Sequence, residues 1–219
     1  MVSIASGQIG IRSTYLTSDD PVWDLVEISG TPSELVGPET GFSIGLDYWF
    51  RLRNQRIEFY PEINYATLSD DLQGDVDLKF NSYSFYLNTQ IYFLDFMGDC
   101  DCPTFSKDGT FVDKGLFLLL SPGYSFQNFE ITPQEGTNQK IESSAFSIGA
   151  GLGLDIGVSD AVTITPFGGA RYFLSTPWTE IGEETTYLVD NQFASIRSDQ
   201  EQLLQFFAGI RLGFRFDEQ

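Results

Sequence analysis

Leu204-Gln205-Phe206-Phe207-Ala208-Gly209-Ile210-Arg211-Leu212-Gly213-Phe214-Arg215-Phe216 alternates apolar side chains with ones that are mostly small, polar or charged. Successive side chains of a strand point to opposite faces, whereas a helix would repeat its pattern every 3.6 residues. The segment is therefore a strand with two chemically different faces. Leu204, Phe206, Ala208, Ile210, Leu212, Phe214 and Phe216 make one; Gln205, Phe207, Gly209, Arg211, Gly213 and Arg215 make the other.

Seven earlier segments repeat the pattern: 8–16, 42–51, 57–65, 82–93, 116–127, 148–158 and 162–172. In the second, Phe42, Ile44, Leu46, Tyr48 and Phe50 alternate with Ser43, Gly45, Asp47, Trp49 and Arg51. In the sixth, apolar residues interleave with Gly149, Gly151, Gly153, Asp155 and Gly157. Such lengths match the roughly 9–11 residues a tilted strand needs to cross a bilayer. Connectors alternate as well. Those at 17–40, 69–77, 130–142 and 175–200 are long and follow odd segments; those at 52–56 and 159–161 are short and follow even ones. Only 95–114 breaks the rule. The fold expected is all-β: an eight-stranded antiparallel up-and-down transmembrane β-barrel with long extracellular loops and both termini periplasmic. It occupies residues 8–219 as one domain, and residues 1–7 read either as a signal-peptide remnant or as an ordinary terminus.

Alternation alone leaves two barrels open, a soluble lipocalin-like one with the apolar face inside and an outer-membrane one with it outside. Volume favours the second, because an eight-stranded interior has room for only modest side chains. The small-residue face also carries Arg12, Asp47, Arg51, Glu58, Glu62, Asp155, Arg171, Arg211 and Arg215. Guanidinium forks pair with carboxylates, so these residues are expected to form a charge network that fills the lumen. Pro61, Pro122 and Pro166 fall within strands on the apolar face, where a bulge or bend is expected.

The chain has 31 acidic and 12 basic residues, a net charge of −19, and no histidine. The charge excludes a nucleic-acid partner, since phosphates attract Lys and Arg. Lack of histidine removes the commonest general base and metal ligand. Adjacent carboxylates such as Glu183 and Glu184 do not converge on one glycosidic bond, so no enzyme is expected. Cys100 and Cys102, one residue apart beside Asp99 and Asp101, are too few for a zinc site. They read as plain loop, a labile disulfide or a periplasmic contact, and no metal or cofactor is expected.

Most of the charge lies in the long connectors. Those regions hold Asp19, Asp20, Asp24, Glu27, Glu34 and Glu39, then Asp70 and Asp71, then Glu183 and Glu184 among others. They form an acidic extracellular rim suited to solubility and divalent bridging to lipopolysaccharide. A docking role would use Trp23, Trp178, Tyr187 and Phe193 as anchors.

Gly10-Ile11-Arg12, Phe59-Tyr60-Pro61-Glu62-Ile63-Asn64-Tyr65, Gly149-Ala150-Gly151-Leu152-Gly153-Leu154-Asp155 and Gly209-Ile210-Arg211-Leu212-Gly213-Phe214-Arg215-Phe216 resemble segments of the PorT-like outer-membrane barrel family, related in architecture to the barrel of outer-membrane protein A. The resemblance implies a Gram-negative outer membrane and insertion by the barrel-assembly machinery through Phe214 and Phe216. Named members of that family take part in type IX secretion. The chain departs by running on through Asp217, Glu218 and Gln219. The role expected is that of a non-enzymatic structural or accessory subunit of an envelope or secretion complex. The alternatives are a narrow pore or small-solute transporter, and the soluble ligand-binding barrel.

Overall fold

The computed structural model describes residues 7–19, 23–27, 32–35, 40–51, 56–72, 76–94, 115–133, 138–159, 161–174, 186–189, 192–197 and 203–216. In chain order the strands are β1 (Gly7–Asp19), β2 (Trp23–Glu27), β3 (Pro32–Leu35), β4 (Thr40–Arg51), β5 (Ile57–Leu72), β6 (Val76–Ile91), β7 (Leu116–Pro133), β8 (Gln139–Leu154), β9 (Ile156–Gly157), β10 (Val162–Phe173), β11 (Thr186–Val189), β12 (Gln192–Arg197) and β13 (Leu203–Phe216).

Strands β1, β4, β5, β6, β7, β8, β10 and β13 pair in sequence, and β13 pairs back with β1 from Gly7↔Phe216 to Asp19↔Leu204. Strand β9 continues β8 past a break at Asp155 and pairs with β10 in the same frame, as Phe167↔Gly153 and Ile164↔Ile156 show. The result is a closed antiparallel barrel of eight staves. Closure leaves no open barrel edge, which a bilayer requires because it offers backbone groups no water. Both ends of the ring, Gly7 and Phe216, meet at one rim. Arg51 and Ile57, Ile91 and Leu116, and Gly157 and Val162, each pair the facing ends of consecutive strands, lie at this terminal rim.

Exposure settles which face is outward. In β1, Ile9, Ile11 and Tyr15 are exposed while Gln8, Arg12 and Thr14 are buried. In β4, Phe42, Ile44, Leu46, Tyr48 and Phe50 alternate with buried Ser43, Asp47 and Trp49. Ile63, which a soluble protein would bury, is 72% exposed. Outward aromatics pair across strands, Tyr15 with Phe42 at 5.4 Å and Tyr124 with Phe146 at 4.7 Å between centroids. This surface suits hydrocarbon and sets the soluble alternative aside.

Three local expectations are corrected. First, β5 to β8 run on beyond the outward apolar rows, so the connectors expected at 69–77 and 130–142 are largely strand, with β5–β6 paired to Leu72↔Val76 and β7–β8 to Ile131↔Gln139. Their mixed, partly acidic composition hid the continuation. Second, the prolines cause no bulge. The pairing frame is the same on both sides of Pro61 (Asp47↔Glu62, then Phe50↔Phe59), and likewise beside Pro122 (Tyr86↔Gly123, then Thr89↔Leu120). Pro166 lies at the interruption between β8 and β9 and keeps its frame too. Each proline lacks an N–H, and the ladder skips there on one side without inserting a residue. Third, the two long connectors are not simply loops. Strands β11, β12, β2 and β3 pair in that order as a second antiparallel sheet, from Leu188↔Phe193 through Ile196↔Leu25 to Asp24↔Glu34.

Candidate functional site: a layered lumen

Inside the barrel, residues of opposite charge come from neighbouring strands. Arg12 of β1 stands directly opposite Arg211 of β13, a like-charge placement that is unfavourable by itself. Asp47, one row away, resolves it. Arg211 donates from Nη2 to Asp47 Oδ1 at 2.7 Å and from Nε to Oδ2 at 2.8 Å, while Arg12 Nε reaches Oδ2 at 3.1 Å. Glycine makes this geometry possible: a side chain at Gly10 or Gly213 would occupy the space of the Arg211 guanidinium. Both glycines lie in the row of Asp47, through Gly10↔Asp47 and Gly10↔Gly213.

Glu62 extends the network. It accepts from Asn64 Nδ2 at 2.9 Å and Asn88 Nδ2 at 2.5 Å, and lies 3.4 Å from Arg12 Nε. The rings of Tyr60 and Phe167 flank Arg12, and Tyr60 also faces Arg211 at 4.6 Å. Arg211 and Asp47 are 1% and 4% exposed, so the pair is effectively dry. Such a pair fixes geometry more surely than it adds net stability, because desolvation offsets the attraction.

Toward the terminal rim the chemistry changes. Glu58 accepts from Tyr60 Oη at 2.6 Å and Trp49 Nε1 at 2.7 Å. Tyr92 Oη lies 3.3 Å from Glu58 Oε2 and also bonds Asp155, whose second oxygen accepts from Thr165. The sequence placed Glu58 and Asp155 in a carboxylate–arginine network; the donors described for them are hydroxyl and indole groups. Tyr60, Tyr92, Trp49, Asn64 and Asn88 were legible only as members of the same face, by parity with the acids. Arg215 meets Gln8, whose amide oxygen, turned to accept, lies 3.0 Å from both Nε and Nη2. Arg171 donates from Nη2 to Ser121 Oγ at 3.1 Å and stacks on Tyr86 at 3.6 Å. Arg51 faces Glu58 in register, and its side chain lies outside the described residues.

Toward the long-connection rim the lumen becomes apolar. Leu16, Leu68, Phe80, Phe129, Phe173, Leu203 and Phe207 are all buried. Leu16, Gly41, Leu68, Phe80 and Phe129 are joined by successive cross-strand pairs, so one belt crosses β1, β4, β5, β6 and β7. Between this layer and the charge network lies a cavity of about 20 Å³. That is room for one or two waters.

Other candidate residues fall outside the description. The side chains of Asp19, Asp20, Asp24, Glu27, Glu34, Glu39, Asp70, Asp71, Glu183 and Glu184 do, as do those of Trp23, Trp178, Tyr187 and Phe193, and with them Cys100 and Cys102. Phe214 points outward on β13, and Phe216 ends that strand. Among the described residues no group of three or more acids or cysteines is placed to hold a metal ion. Among the described residues, an exposed ion pair stands outside the apolar band, Lys140 Nζ to Glu142 Oε1 at 2.9 Å. That hydrogen bond holds the Glu142 carboxyl below its ordinary value and raises Lys140 above its own.

A closed eight-stave barrel with an apolar outside and a filled polar inside is of the outer-membrane class. The chain belongs to the autotransporter β-domain family, whose pattern it matches over residues 37–219. Among solved structures, a major outer membrane protein from Thermus thermophilus is 10% identical, with a TM-score of 0.50 over 95% of this chain and 100% of that one, a likeness of fold. Neisserial surface protein A is 11% identical over 95% of this chain and 97% of that one, TM-score 0.46. Ail, the attachment invasion locus protein of Yersinia pestis, is 12% identical over 95% and 99%, TM-score 0.45. No curated protein sequence matches the chain. The family found is not the PorT-like one that the sequence segments resemble.

Proposed function

We propose that this protein is a non-enzymatic, non-conducting outer-membrane anchor that displays its long-connection rim outside the cell. The lumen carries the proposal: Asp47, Arg12 and Arg211 tie β4, β1 and β13 together across the interior, and the apolar layer lies above them. Buried side chains crowd the described interior in both layers, which disfavours passage of a polypeptide or a hydrated solute. Anchoring is therefore favoured over both translocation and the narrow-pore alternative.

In this reading the terminal rim, which holds both chain-end strands, faces the periplasm, and the sheet of β2, β3, β11 and β12 stands with the acidic connectors outside. Outer-membrane lipid and lipopolysaccharide surround the barrel. Phe214 and Phe216 serve as the signal for the barrel-assembly machinery, and an envelope or secretion complex supplies the partner; nucleic acid does not, given the net charge of −19. Planar-bilayer recording tests the core of the proposal. The refolded protein is expected to give no steady channel, and large stable conductance steps would overturn it.

A further inference from the structure

One guanidinium of the polar lumen stands apart from the carboxylates. Arg12 and Arg211 are matched by Asp47 and Glu62, which accept from them or lie beside them. Arg171 has no such match: among the described residues no carboxylate is within ion-pair distance of it, yet it is only 9% exposed. Its known contacts are the hydrogen bond to Ser121 Oγ and the rings of Tyr86 and Phe207, at 3.6 and 5.2 Å. Aromatic faces and a hydroxyl are partial compensation, and an unpaired buried guanidinium is otherwise disfavoured by ion desolvation.

Arg171 lines the same small cavity as Arg12. Each retains one buried N–H group with no partner, Nε of Arg171 and Nη2 of Arg12. The remaining lining includes the donors Asn64 and Asn88 with Thr14 and Ser43, closed on other sides by Leu16, Leu119, Phe167 and Phe207. Glu62 also lines it, but both its oxygens are engaged, Oε1 by Asn64 and Oε2 by Asn88 and Arg12. Arg171 is thus a guanidinium at the cavity wall with no described carboxylate at ion-pair distance.

We propose that this cavity, between Arg12 and Arg171, is a binding site for one small inorganic anion, a halide such as chloride. The volume, room for one or two water-sized spheres, suits a single small ion. The two orphan N–H groups supply charge-assisted hydrogen bonds, and the ion gives Arg171 the counter-charge it lacks.

Two measurements on the full refolded chain test the site together. Crystals grown in bromide are expected to show an anomalous peak in the cavity at hydrogen-bonding distance from Arg171 Nε, and the peak is expected to vanish in Arg171→Gln. In detergent micelles at constant ionic strength, the wild-type unfolding temperature is expected to be higher in chloride or bromide than in gluconate. Arg171→Gln is expected to lose that difference, and Lys140→Gln to keep it. Should Arg171→Gln fail to fold, the wild-type pair of measurements decides alone. A water in the cavity with no bromide signal overturns the proposal. A peak with no halide-dependent shift marks an adventitious ion only, and a shift with no peak places the effect elsewhere; either also overturns it.

Discussion

The lumen is closed twice, by different physics. Around Asp47 the seal is made of charge, with two guanidinium groups converging on one carboxylate through the space that Gly10 and Gly213 leave open. Around Phe129 the seal is made of area, from Leu16, Leu68, Phe80 and Phe207, residues whose only demand is to fill volume out of water. The first is intolerant of changes in chemistry, because any missing partner strands a buried charge. The second tolerates chemistry within the apolar class and is sensitive to lost volume. One barrel therefore combines a layer that fixes which strands lie side by side with a layer that contributes burial.

The largest expected effect comes from breaking the charged layer at its hub. Asp47→Ala leaves Arg12 and Arg211 buried without their shared carboxylate, and is expected to cost about 3–5 kcal/mol in equilibrium urea unfolding from vesicles. Asp47→Asn, which keeps the volume, should recover little of it. An Asp47→Ala barrel as stable as wild type would show that solvent already penetrates this layer. Next comes Phe129→Ala in the apolar layer, expected to cost about 3 kcal/mol by the same measurement. Phe129→Leu should restore much of that stability, and this is the contrast between the layers in its sharpest form.

A third substitution tests the outward face against both layers. Leu46 lies midway along the exposed row Phe42, Ile44, Leu46, Tyr48 and Phe50, the neighbour in sequence of Asp47 but on the other side of the wall. Leu46→Lys is expected to cost about 2–3 kcal/mol in bilayers, as a cation near the hydrocarbon midplane does. In a water-filled environment the same change would be nearly neutral. If Leu46→Lys leaves stability and vesicle insertion unaltered, the outward row does not face lipid.

These layers were unequally legible in the sequence. The period of two assigned Asp47, Arg12 and Arg211 to one face, since parity within a strand needs no long-range information. Partner choice did need it: Arg12 and Arg211 stand opposite each other only because β13 closes onto β1, and that pairing joins the two ends of the chain. Glu58 and Asp155 show the limit most clearly, as residue type suggested arginine while their described donors are Trp49, Tyr60, Tyr92 and Thr165, all but Tyr60 brought near only by the pairing. The apolar layer was harder still, because Leu68, Phe80 and Phe129 belong to the strand extensions whose surrounding acids read as loop. For the same reason the five residues Trp23–Glu27 gave too short a run to signal a strand; their sheet depends on pairing with β12 across the long connections.

The smallest effect is expected where the extended strands leave the apolar band. Lys140 and Glu142 face solvent on β8, with side chains 52% and 74% exposed. Their hydrogen bond lowers the Glu142 carboxyl from its ordinary 4.5. Whatever stability the depressed carboxyl adds is therefore present above pH 4.5 and is lost as pH falls through the folded-state value. The raised Lys140 acts in the opposite sense: its share is complete below its ordinary 10.5 and is lost as pH rises through the higher folded-state value. Lys140→Gln is expected to bring the Glu142 titration back toward 4.5 in carboxyl-detected NMR of the micellar protein, without a measurable change in urea midpoint at neutral pH. A clear loss of stability from this exposed pair would mean that the strand extensions are clamped by charge in the same way as the Asp47 layer, and the contrast between a charged interior and a freely solvated rim would have to be abandoned.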